Sequence, residues 1–440
     1  MLDKNGILQH IAKTDTTYDV LVAGAGPAGI GAALAAASAG ARTAVLEARG
    51  FFGGVAAVSH WMPMNRLLLR GQSRGDIHNL FISKLRSLGP DACREGKTSW
   101  VDGDGLHIHP EYLRLAVYEL FEETGCDYRI GTPVTGTQME NGRIVRAVSA
   151  AKDETASFAA KVFVDTTGDG DLSYHAGVPT VTGRETDGEL MSVTMSFALC
   201  DVDVERLYKA IDEYGNEEFQ DLIRAGEEDG YHVAAWYSFD RSTLPGIVSV
   251  NNGGWKRAGR IDATRPEELA VADRSGVQVA ADFIKIVHER QVPGLEHCRL
   301  LRIGAAPGIR ETRRIVGEYV MTLEDAIAGT EFPDVVARRY GAVDPGGLNE
   351  GRDLRTAMKS GHAFPYRSLL PLQVDNLLVA GRCASYTHLG LTAGKSMGNM
   401  MALGHAAGVA AAMAARSGVN PRDLPVTDIQ KSLREAGVEL

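Results

Sequence analysis

The feature that most constrains this chain is a short segment near its amino terminus, YDVLVAGAGPAG, which covers residues 18–29. An apolar run of the strand type leads directly into a set of glycines, and an alanine-rich helical pattern follows them. Gly24 permits the tight turn, Gly26 lets the backbone approach a pyrophosphate, and Gly29 lets helix and strand pack closely. The segment therefore predicts the first half of a βαβ unit that binds a dinucleotide.

The residues that follow strengthen this prediction. A second strand pattern, residues 43–46, ends at Glu47. This acid falls roughly 20 residues beyond the glycines, where a carboxylate binds the ribose hydroxyls. The segment RGFFGG then places Gly53 and Gly54 shortly after the carboxylate. A glycine motif alone also occurs in unrelated α/β domains, whereas strand, glycines, helix, second strand and acid together are specific.

Length and composition limit the possible functions. A chain of 440 residues is long for one hydrophobic core, so two domains are expected. The net charge of -10 argues against a nucleic-acid partner, which needs a basic face. The five cysteines include no Cys-x-x-Cys pair, which predicts a reducing compartment and no structural metal. Residues 1–17 lack a signal-peptide pattern, so we expect a cytoplasmic protein without a membrane partner, which could form a homo-oligomer.

The chain after the first unit shows mixed patterns. Helical patterns cover residues 74–88 and 110–124, and strand patterns over 134–139 and 143–150 flank an Asn-Gly pair typical of a hairpin turn. The strand in KVFVDTTGDGDL, residues 161–172, ends in a polar glycine-containing turn. That turn is either a solvated acidic loop or part of a ligand site at a strand carboxyl end; the first motif favours the site.

The predicted secondary-structure pattern changes between about residues 180 and 370. Residues 191–200 are typical of a strand, residues 203–226 predict one or two amphipathic helices, and residues 266–290 predict a long helix opened by a proline. We interpret this part as a substrate domain inserted into the dinucleotide-binding domain.

Three later motifs carry a resemblance to a known family. They are GIRETRRIVGEYVMT at 308–322, FPYRSLLP at 364–371 and DNLLVAGRCASYTH at 375–388. With the first motif they resemble the FAD-dependent oxidoreductase family, of the glutathione-reductase-like flavoprotein clan, in order and over nearly the whole chain. The resemblance implies FAD as cofactor and an α/β fold: a Rossmann-like FAD-binding domain, split in sequence, with an inserted α+β substrate domain. It implies no particular substrate.

The expected domain division follows from this resemblance and the patterns above. It comprises an amino-terminal arm (1–17), a first FAD-binding part (18–178) with a helical insertion at about 60–105, a substrate or cap domain (179–372) and a second FAD-binding part (373–440).

The resemblance also assigns cofactor roles. The residues expected around the pyrophosphate, ribose, adenine and flavin are Gly24, Ala25, Gly26, Pro27, Ala28, Gly29, Glu47, Ala48, Arg49, Gly53, Gly54, Val55, Val134, Thr167, Gly168, Asp169, Gly381, Arg382, Gly398, Asn399 and Met400. The last three lie where the family points a helix amino terminus at the flavin pyrimidine edge.

The sequence departs from the family pattern close to that helix. Where the family often has His-Gly-Ser-Ile-Arg, this chain has LTAGK, residues 391–395. Leu391 replaces a histidine, Lys395 stands where arginine is common, and Gly398 replaces a frequent proline. These changes predict a substrate unlike that of commoner members.

Two residues are candidates for catalysis. His388 follows the flavin-lining strand, and histidine is the residue type whose ordinary pKa suits a general base, although a packing role is an equal alternative. Lys395 is a candidate base, anion anchor or partner for the flavin edge.

Four further residues are candidates for substrate binding: Arg310, Tyr366, Arg367 and His362, the last of which is also a further candidate for the base role. Arginine binds carboxylates bidentately, but most arginines of the 310–314 cluster are expected to form a buried ion-pair knot with Glu311. His60 is expected to be a structural histidine with satisfied hydrogen bonds rather than a site of covalent FAD attachment.

The uncharged run of residues 396–415 is long enough to raise the question of a membrane span. It contains Asn399, His405 and several glycines, so we predict a buried helix instead.

Together these patterns predict an FAD-dependent dehydrogenase or oxidase that removes hydride from a small polar metabolite and passes electrons to oxygen or another acceptor. No Cys-x4-Cys pair follows the Gly-Gly segment, and no second dinucleotide fingerprint is present. An NAD(P)H-driven monooxygenase and a non-catalytic electron-transfer subunit remain the alternatives.

Overall fold

The computed structural model describes residues 4–69, 74–96, 105–152, 154–341, 343 and 361–440. The strands in this part of the chain are β1 (Thr17–Ala23), β2 (Thr43–Leu46), β3 (Met64–Asn65), β4 (Cys93–Gly96), β5 (Gly105–Ile108), β6 (Asp127–Arg129), β7 (Val134–Glu140), β8 (Arg143–Ala150), β9 (Thr155–Asp165), β10 (Thr180–Thr182), β11 (Phe197–Cys200), β12 (Tyr237–Arg241), β13 (Val248–Asn252), β14 (Arg299–Ile303), β15 (Arg313–Ile315), β16 (Val335–Arg339), β17 (His362–Pro365) and β18 (Leu377–Val379).

The helices of the same residues are α1 (Lys4–Leu8), α2 (Pro27–Ser38), α3 (Val55–Val58), α4 (Asp76–Ser87), α5 (Pro110–Thr124), α6 (Asp171–His175), α7 (Val204–Tyr214), α8 (Asn216–Arg224), α9 (Pro266–Glu289), α10 (Leu323–Ala328), α11 (His388–Thr392), α12 (Met397–Ser417) and α13 (Val426–Glu435).

The largest sheet is built on the first βαβ unit. Within the described residues it has seven strands in the order β6-β2-β1-β9-β8-β7, with β18 also paired to β9. Strands β6, β2, β1, β9 and β18 are parallel, so their carboxyl ends meet at one edge. The edge where ligands bind in such sheets therefore carries residues from both ends of the chain.

A hairpin extends this sheet on the side of β9. Strands β7 and β8 are antiparallel, and the turn between them has Asn141 at φ 48° and Gly142 at φ 75°. Positive φ at both central residues is the geometry that the Asn-Gly pair favours in tight hairpins. The predicted hairpin is confirmed.

Helix α12 packs against α2 through glycines. A Cβ added at Gly404 would lie 1.9 Å from the Ala28 carbonyl oxygen, and one at Gly408 would lie 2.2 Å from that of Ala32. The two backbones therefore approach more closely than any side chain would permit. Helix α12 is buried along most of its length, as predicted for a core helix. None of the described helices combines the length and apolar character that crossing a membrane requires.

A second sheet has its own hydrophobic core. In the described residues its order is β12-β13-β11-β14, and its apolar face packs with α7, α8 and α9. The predicted strand over residues 191–200 is shorter than expected and begins only at Phe197. The preceding residues pair with a loop by the single bridge Thr194–Gly308, so no continuous ladder forms there.

The predicted helical insertion also differs from the structure. The expected helical insertion at 60–105 contains α4 but also β3 and β4, which both pair with β5. Side chains of residues 321–337, 343 and 363–370 lie in the core of the first sheet, although the sequence suggested a place in the second domain. Residues 197–298 contribute the core of the second sheet. The division into domains stays a proposal.

The close contact of α2 and α12 gives a stability prediction. We expect Gly404→Ala to lower the free energy of unfolding by about 1–3 kcal/mol, because the new methyl group must displace the Ala28 carbonyl. Gly136→Ala is the control, since its Cβ would meet only Val148 Cβ, at an ordinary 3.6 Å. Urea denaturation of both variants measures the difference, and equal stabilities would contradict the described packing.

Candidate active site

The glycine motif forms a backbone cradle at the carboxyl end of β1. Gly24 has φ 93°, and its N–H donates to the Leu46 carbonyl at 2.7 Å. A Cβ at Gly29 would lie 1.9 Å from the Gly24 carbonyl oxygen, which explains the glycine there. A Cβ at Gly26 would have no atom nearer than Gly54 Cα at 4.0 Å, so its open side is accessible to a ligand.

The amino terminus of α2 completes the first half of the cradle. Gly26 caps the helix without a side-chain hydrogen bond, and Pro27 occupies the first turn, where no N–H donor is needed. Gly54 contributes a second backbone wall with φ 53°. Exposed helix N–H groups beside a glycine backbone bind phosphate well, so this arrangement fits the FAD pyrophosphate.

Glu47 is positioned by backbone donors at the end of β2. Its Oε2 accepts from the Ala25 N–H at 2.7 Å, and its Oε1 accepts from the Arg49 N–H at 2.8 Å. Burial raises the pKa of Glu47, against the lowering effect of these donors. The carboxylate is held beside the glycine turn, as the ribose role requires. Ala48 directly follows Glu47, and Val55 begins helix α3. Val134 begins β7 just after Thr132, whose N–H donates to the Glu47 carbonyl at 2.8 Å.

A second set of polar residues lies at the carboxyl ends of β9 and β18. Arg382 donates to Asp169 Oδ1 at 2.7 Å and to Thr312 Oγ1 at 2.9 Å, and Thr312 donates to the same Asp169 oxygen at 2.6 Å. Burial alone would raise the pKa of Asp169, but Arg382, Thr312 and Arg313 hold it below its ordinary value. Gly168, at φ 82°, leaves room for the Arg382 guanidinium.

Other predicted cofactor residues share this edge. Thr167 donates its hydroxyl to Asp165 at 2.8 Å, and Gly381 adopts φ 92° where a Cβ would meet Ala28 Cβ at 2.9 Å. The structure thus brings the 167–169 and 381–382 segments together beside the first motif. Sequence reasoning did not identify Thr312 here; its place beside the arginine-rich cluster was the available signal.

The predicted base His388 lies in a buried charge cluster. Its Nδ1 lies 2.8 Å from Glu311 Oε2, and its backbone N–H donates to Glu185 at 2.8 Å. Both His388 and Glu311 are 0% exposed. Arg314 is also fully buried and forms ion pairs with Glu311 and Glu185.

The ion-pair knot is smaller than predicted: in the described residues, of the three arginines only Arg314 pairs with Glu311, whereas Arg313 pairs with Asp171 and Arg310 donates to the Ser192 carbonyl. The knot also includes His388.

Lys395 joins this cluster through Met191. Its Nζ lies 3.7 Å from Met191 Sδ, and the Met191 N–H donates to Glu311 Oε2 at 3.1 Å. The two predicted catalytic residues are therefore linked through one methionine and one carboxylate. Neither Glu311 nor Met191 was a predicted site residue, because their neighbours in space are distant in sequence.

The predicted substrate-binding residues have diverse surroundings. Arg310 donates to the Ser192 carbonyl at 3.0 Å and lies over the Trp236 ring, near the cluster. Tyr366 donates its hydroxyl to the Pro421 carbonyl at 2.9 Å. Arg367 forms an ion pair with Asp334 at 2.9 Å. These contacts favour structural roles for Tyr366 and Arg367.

His362 is poorly suited to act as a base. Burial, followed by the nearby charge of Arg339, lowers its pKa to about 2. An imidazole with so low a pKa binds protons weakly at neutral pH. We therefore do not carry His362 into the catalytic proposal.

The residues predicted at the flavin edge, Gly398, Asn399 and Met400, lie in the first turn of helix α12. The Gly398 carbonyl accepts from Arg74, and a Cβ on this glycine would lie 2.2 Å from the Arg66–Leu67 backbone. The Asn399 amide donates to the carbonyls of Tyr340 and Gly394, at 2.6 and 2.9 Å. Met400 is buried in the same turn. The Asn399 amide group is thus occupied by internal hydrogen bonds, and the backbone of this turn remains the candidate contact with the flavin.

His60 differs from its prediction as a satisfied structural histidine. It is buried, and neither ring nitrogen has a hydrogen-bond partner among the described residues. Burial, followed by the charge of Arg302, lowers the pKa of His60 to about 4. In the described part of the chain, no group of three or more His, Cys, Asp or Glu side chains is placed to hold a metal ion.

The geometry therefore combines a dinucleotide cradle with an adjoining buried charge cluster. The sequence pattern that defines the family named FAD dependent oxidoreductase matches residues 19–433. The chain belongs to the FAD-dependent oxidoreductase family. It is an FAD-dependent enzyme, and the cradle residues described above are those that fit the cofactor.

One curated relative supports an enzymatic role. A segment of 137 residues is 40% identical to the 4-oxocyclohex-2-ene-1-carboxylate 5-dehydrogenase of Sinomonas cyclohexanicum. This match covers 29% of the present chain and only 22% of the relative's length.

Solved structures share the fold at low identity. The p-nitrophenol 4-monooxygenase PnpA of Pseudomonas putida DLL-E4 has a TM-score of 0.51 and 13% identity, over 95% of this chain and 86% of that one. BexE, studied for oxidation during BE-7585A biosynthesis, has the same TM-score and identity over 96% of this chain and 67% of its own. These likenesses show the flavoprotein fold.

The position of Glu47 gives a prediction for cofactor binding. We expect Glu47→Gln to weaken FAD binding roughly 10- to 100-fold, because hydrogen bonds to charged groups contribute about 1.5–3 kcal/mol. Glu140→Gln, at the exposed end of β7, is the control and should keep normal affinity. Titration of the apoprotein with FAD, followed by flavin fluorescence, measures both. Unchanged affinity in the Glu47 variant would exclude the ribose role.

His60 gives a prediction for pH dependence. Its folded pKa of about 4 lies below the ordinary 6.5, so the unfolded chain binds more protons between these values. Its contribution to stability therefore rises with pH over this window, in an environment shared with Arg302, Glu111 and His109. We expect the melting temperature of His60→Gln to rise less than that of the wild type between pH 4 and 6.5. Parallel curves would contradict a neutral buried imidazole.

Proposed function

We propose that this enzyme is an FAD-dependent dehydrogenase or oxidase, in which His388 accepts a proton as the substrate loses hydride. The observation that carries the proposal is the buried His388–Glu311 pair, with an Nδ1–oxygen distance of 2.8 Å. A carboxylate on one ring nitrogen stabilises the imidazolium that forms when the other nitrogen accepts a proton. When bound, FAD supplies the hydride acceptor.

The protein groups have separate roles in this proposal. Glu311 orients His388 and is itself held by Arg314 and the Met191 N–H, so the ring has little freedom to rotate. Proton transfer with the substrate would take place at Nε2 of His388. Lys395 and Arg310 supply positive charge beside residues 191 and 192, which would orient a substrate with an anionic or strongly polar group.

The curated relative supports dehydrogenation over oxygen insertion. Its printed name is that of a dehydrogenase of a cyclic enone carboxylate, and it shares 40% identity over the matched segment. Loss of hydrogen from carbon beside a carbonyl needs a base for the acidic C–H proton and a hydride acceptor for the neighbouring carbon. We therefore propose ring carboxylates with an activated C–H bond as the first substrates to test.

A second candidate is an NAD(P)H-driven monooxygenase. It is favoured by the fold shared with PnpA, a p-nitrophenol 4-monooxygenase. Since 13% identity carries the fold only, this similarity does not assign a reaction. The two functions differ in the source of the electrons that reduce the flavin: a carbon substrate in the dehydrogenase or oxidase, and NAD(P)H in the monooxygenase.

Anaerobic reduction separates them. The holoenzyme is mixed without oxygen with 4-oxocyclohex-2-ene-1-carboxylate and related ring carboxylates, and separately with NADH or NADPH. We expect loss of the oxidised flavin absorbance with a carbon substrate in the absence of nicotinamide. Reduction by NAD(P)H alone would favour the monooxygenase instead.

The role of His388 is tested by substitution. We expect His388→Gln to lower the rate of flavin reduction by roughly 100- to 10,000-fold, the range that general-base catalysis contributes. The FAD content should stay normal, because the cradle residues are unchanged. His175→Gln, on the short helix α6, is the matched control and should reduce at the wild-type rate. A full rate in His388→Gln would exclude the base role.

A further inference from the structure

A tight turn of residues 183–189 lies against the buried charge cluster. The turn follows β10, which pairs antiparallel with β15, the strand that carries Arg314. Two backbone hydrogen bonds, of 2.7 and 2.8 Å, close the turn between residues 184 and 189. Gly183, at φ 74°, is needed there, because a Cβ would lie 2.4 Å from the Gly188 carbonyl oxygen. The pairing of β10 with β15 therefore holds this turn beside Arg314.

Glu185 reaches from the turn into the cluster. Its Oε1 accepts from the backbone N–H of His388 at 2.8 Å and from the Arg314 guanidinium at 3.2 Å. The Arg314 side chain is 0% exposed, whereas the Glu185 side chain is 52% exposed. One end of this contact is therefore a buried cation with a backbone donor, and the other is a side chain that is half in solvent.

Arg314 has a second carboxylate partner that is fully buried. Glu311 forms an ion pair with it inside the cluster and is 0% exposed. Burial lowers the pKa of Arg314 to about 10, so the guanidinium is still charged at neutral pH. An ion pair with a half-exposed carboxylate contributes little net free energy, since that carboxylate regains water when it leaves. The cluster therefore keeps its buried ion pair if the Glu185 side chain rotates into solvent.

A crevice beside Glu185 leaves room for a small molecule. It has a volume of about 450 Å³ and is lined by residues 181–188 and Arg314. Small-molecule sites commonly have volumes of roughly 300–1,000 Å³. Residues 185–187, at the tip of the turn, are exposed. The crevice therefore leads from the protein surface to the guanidinium that Glu185 now contacts.

The groups that hold Glu185 select a carboxylate. A guanidinium and a backbone N–H are both donors, so a ligand that pairs with both must be an acceptor. Charge-assisted hydrogen bonds between arginine and a carboxylate are among the stronger ones in proteins. The donor N–H and the imidazole ring belong to the same residue, His388, so a carboxylate held here lies beside the proposed base.

We propose that the place occupied by the Glu185 carboxylate is the carboxylate subsite of the substrate, and that Glu185 rotates into solvent when the substrate binds. This inference rests on the proposed function for the identity of the ligand as the substrate, but binding is measured without turnover. Glu185 is then an internal competitor that fills the subsite until a substrate displaces it. Lys395 and Arg310, beside residues 191 and 192, remain for the carbonyl of a keto ring carboxylate.

The test compares a ring carboxylate with its uncharged amide. Cyclohexanecarboxylate and cyclohexanecarboxamide have nearly the same shape, and neither has the ring carbonyl that activates a C–H bond in the proposed substrates. Each is titrated by calorimetry into the FAD-loaded wild type and Glu185→Ala. We expect Glu185→Ala to bind the carboxylate at least roughly 10-fold more tightly than the wild type, because no closed state lowers the apparent affinity. The affinity for the amide should not change.

A second carboxylate on the same turn provides the matched control. Asp187 accepts from the Arg184 Nε–H at 2.9 Å, and none of the described hydrogen bonds or ion pairs joins it to Arg314. Asp187→Ala therefore removes the same negative charge from the turn without vacating the subsite. We expect it to bind cyclohexanecarboxylate as the wild type does, whereas a long-range charge effect would raise the affinity in both variants.

Thermal stability gives an independent readout of the vacated subsite. Saturating cyclohexanecarboxylate should raise the melting temperature of Glu185→Ala by more than that of the wild type, because ligand binding stabilises in proportion to affinity. Glu185→Gln keeps the shape of the side chain and removes its charge, so it should also bind the carboxylate more tightly. It replaces Glu185→Ala in every comparison if that variant does not fold.

Four results would overturn the proposal. They are absence of saturable carboxylate binding in the Glu185 variants, a carboxylate affinity in these variants that equals or falls below that of the wild type, an equal gain in Asp187→Ala, and an equal gain for the amide. Flavin reduction plays no part in these measurements. Failure of the proposed dehydrogenation would therefore be recognised separately, in the anaerobic assay.

Discussion

The close approach of helices α2 and α12 is the constraint on which the rest of the structure depends. Because Gly404 and Gly408 bring the two backbones together, the carboxyl-terminal segment lies on the amino-terminal βαβ unit. In the same carboxyl-terminal segment, β18 pairs with β9, and a Cβ at Gly381 would lie 2.9 Å from Ala28 Cβ, so Arg382 follows a residue that lies beside the glycine motif. The site is therefore assembled from segments that are more than 300 residues apart in sequence.

The first βαβ unit was predictable from sequence because its physics is local. Gly24, Gly29 and Glu47 act through turns and contacts within one strand–helix–strand unit, and the hairpin at Asn141 depends on two positive φ angles. The link between Glu311 and His388 joins residues 77 positions apart, and no local pattern encodes it. The family resemblance marked both segments as important, but it did not show that they form one charge cluster.

The errors of the sequence-based predictions also have physical causes. Residues 191–196 have the composition of a strand, yet the described structure gives them only the single bridge between Thr194 and Gly308. Gly308 lies in a loop, so no continuous ladder of strand pairs forms there. His60 was expected to be satisfied, because most buried polar groups are hydrogen-bonded. The two ring nitrogens of His60 have no hydrogen-bond partner among the described residues, so this histidine is an exception to that rule.

The account's central claim is that a carbon substrate reduces the flavin directly while His388 accepts the proton. The most direct measurement is the anaerobic rate of flavin reduction with a substrate deuterated at the carbon that loses hydride, in wild type and in Glu311→Gln. The account predicts slower reduction of the deuterated substrate without any nicotinamide, and a further loss of rate when Glu311 no longer orients His388. Reduction that requires NAD(P)H and does not depend on the substrate's deuterium would contradict it.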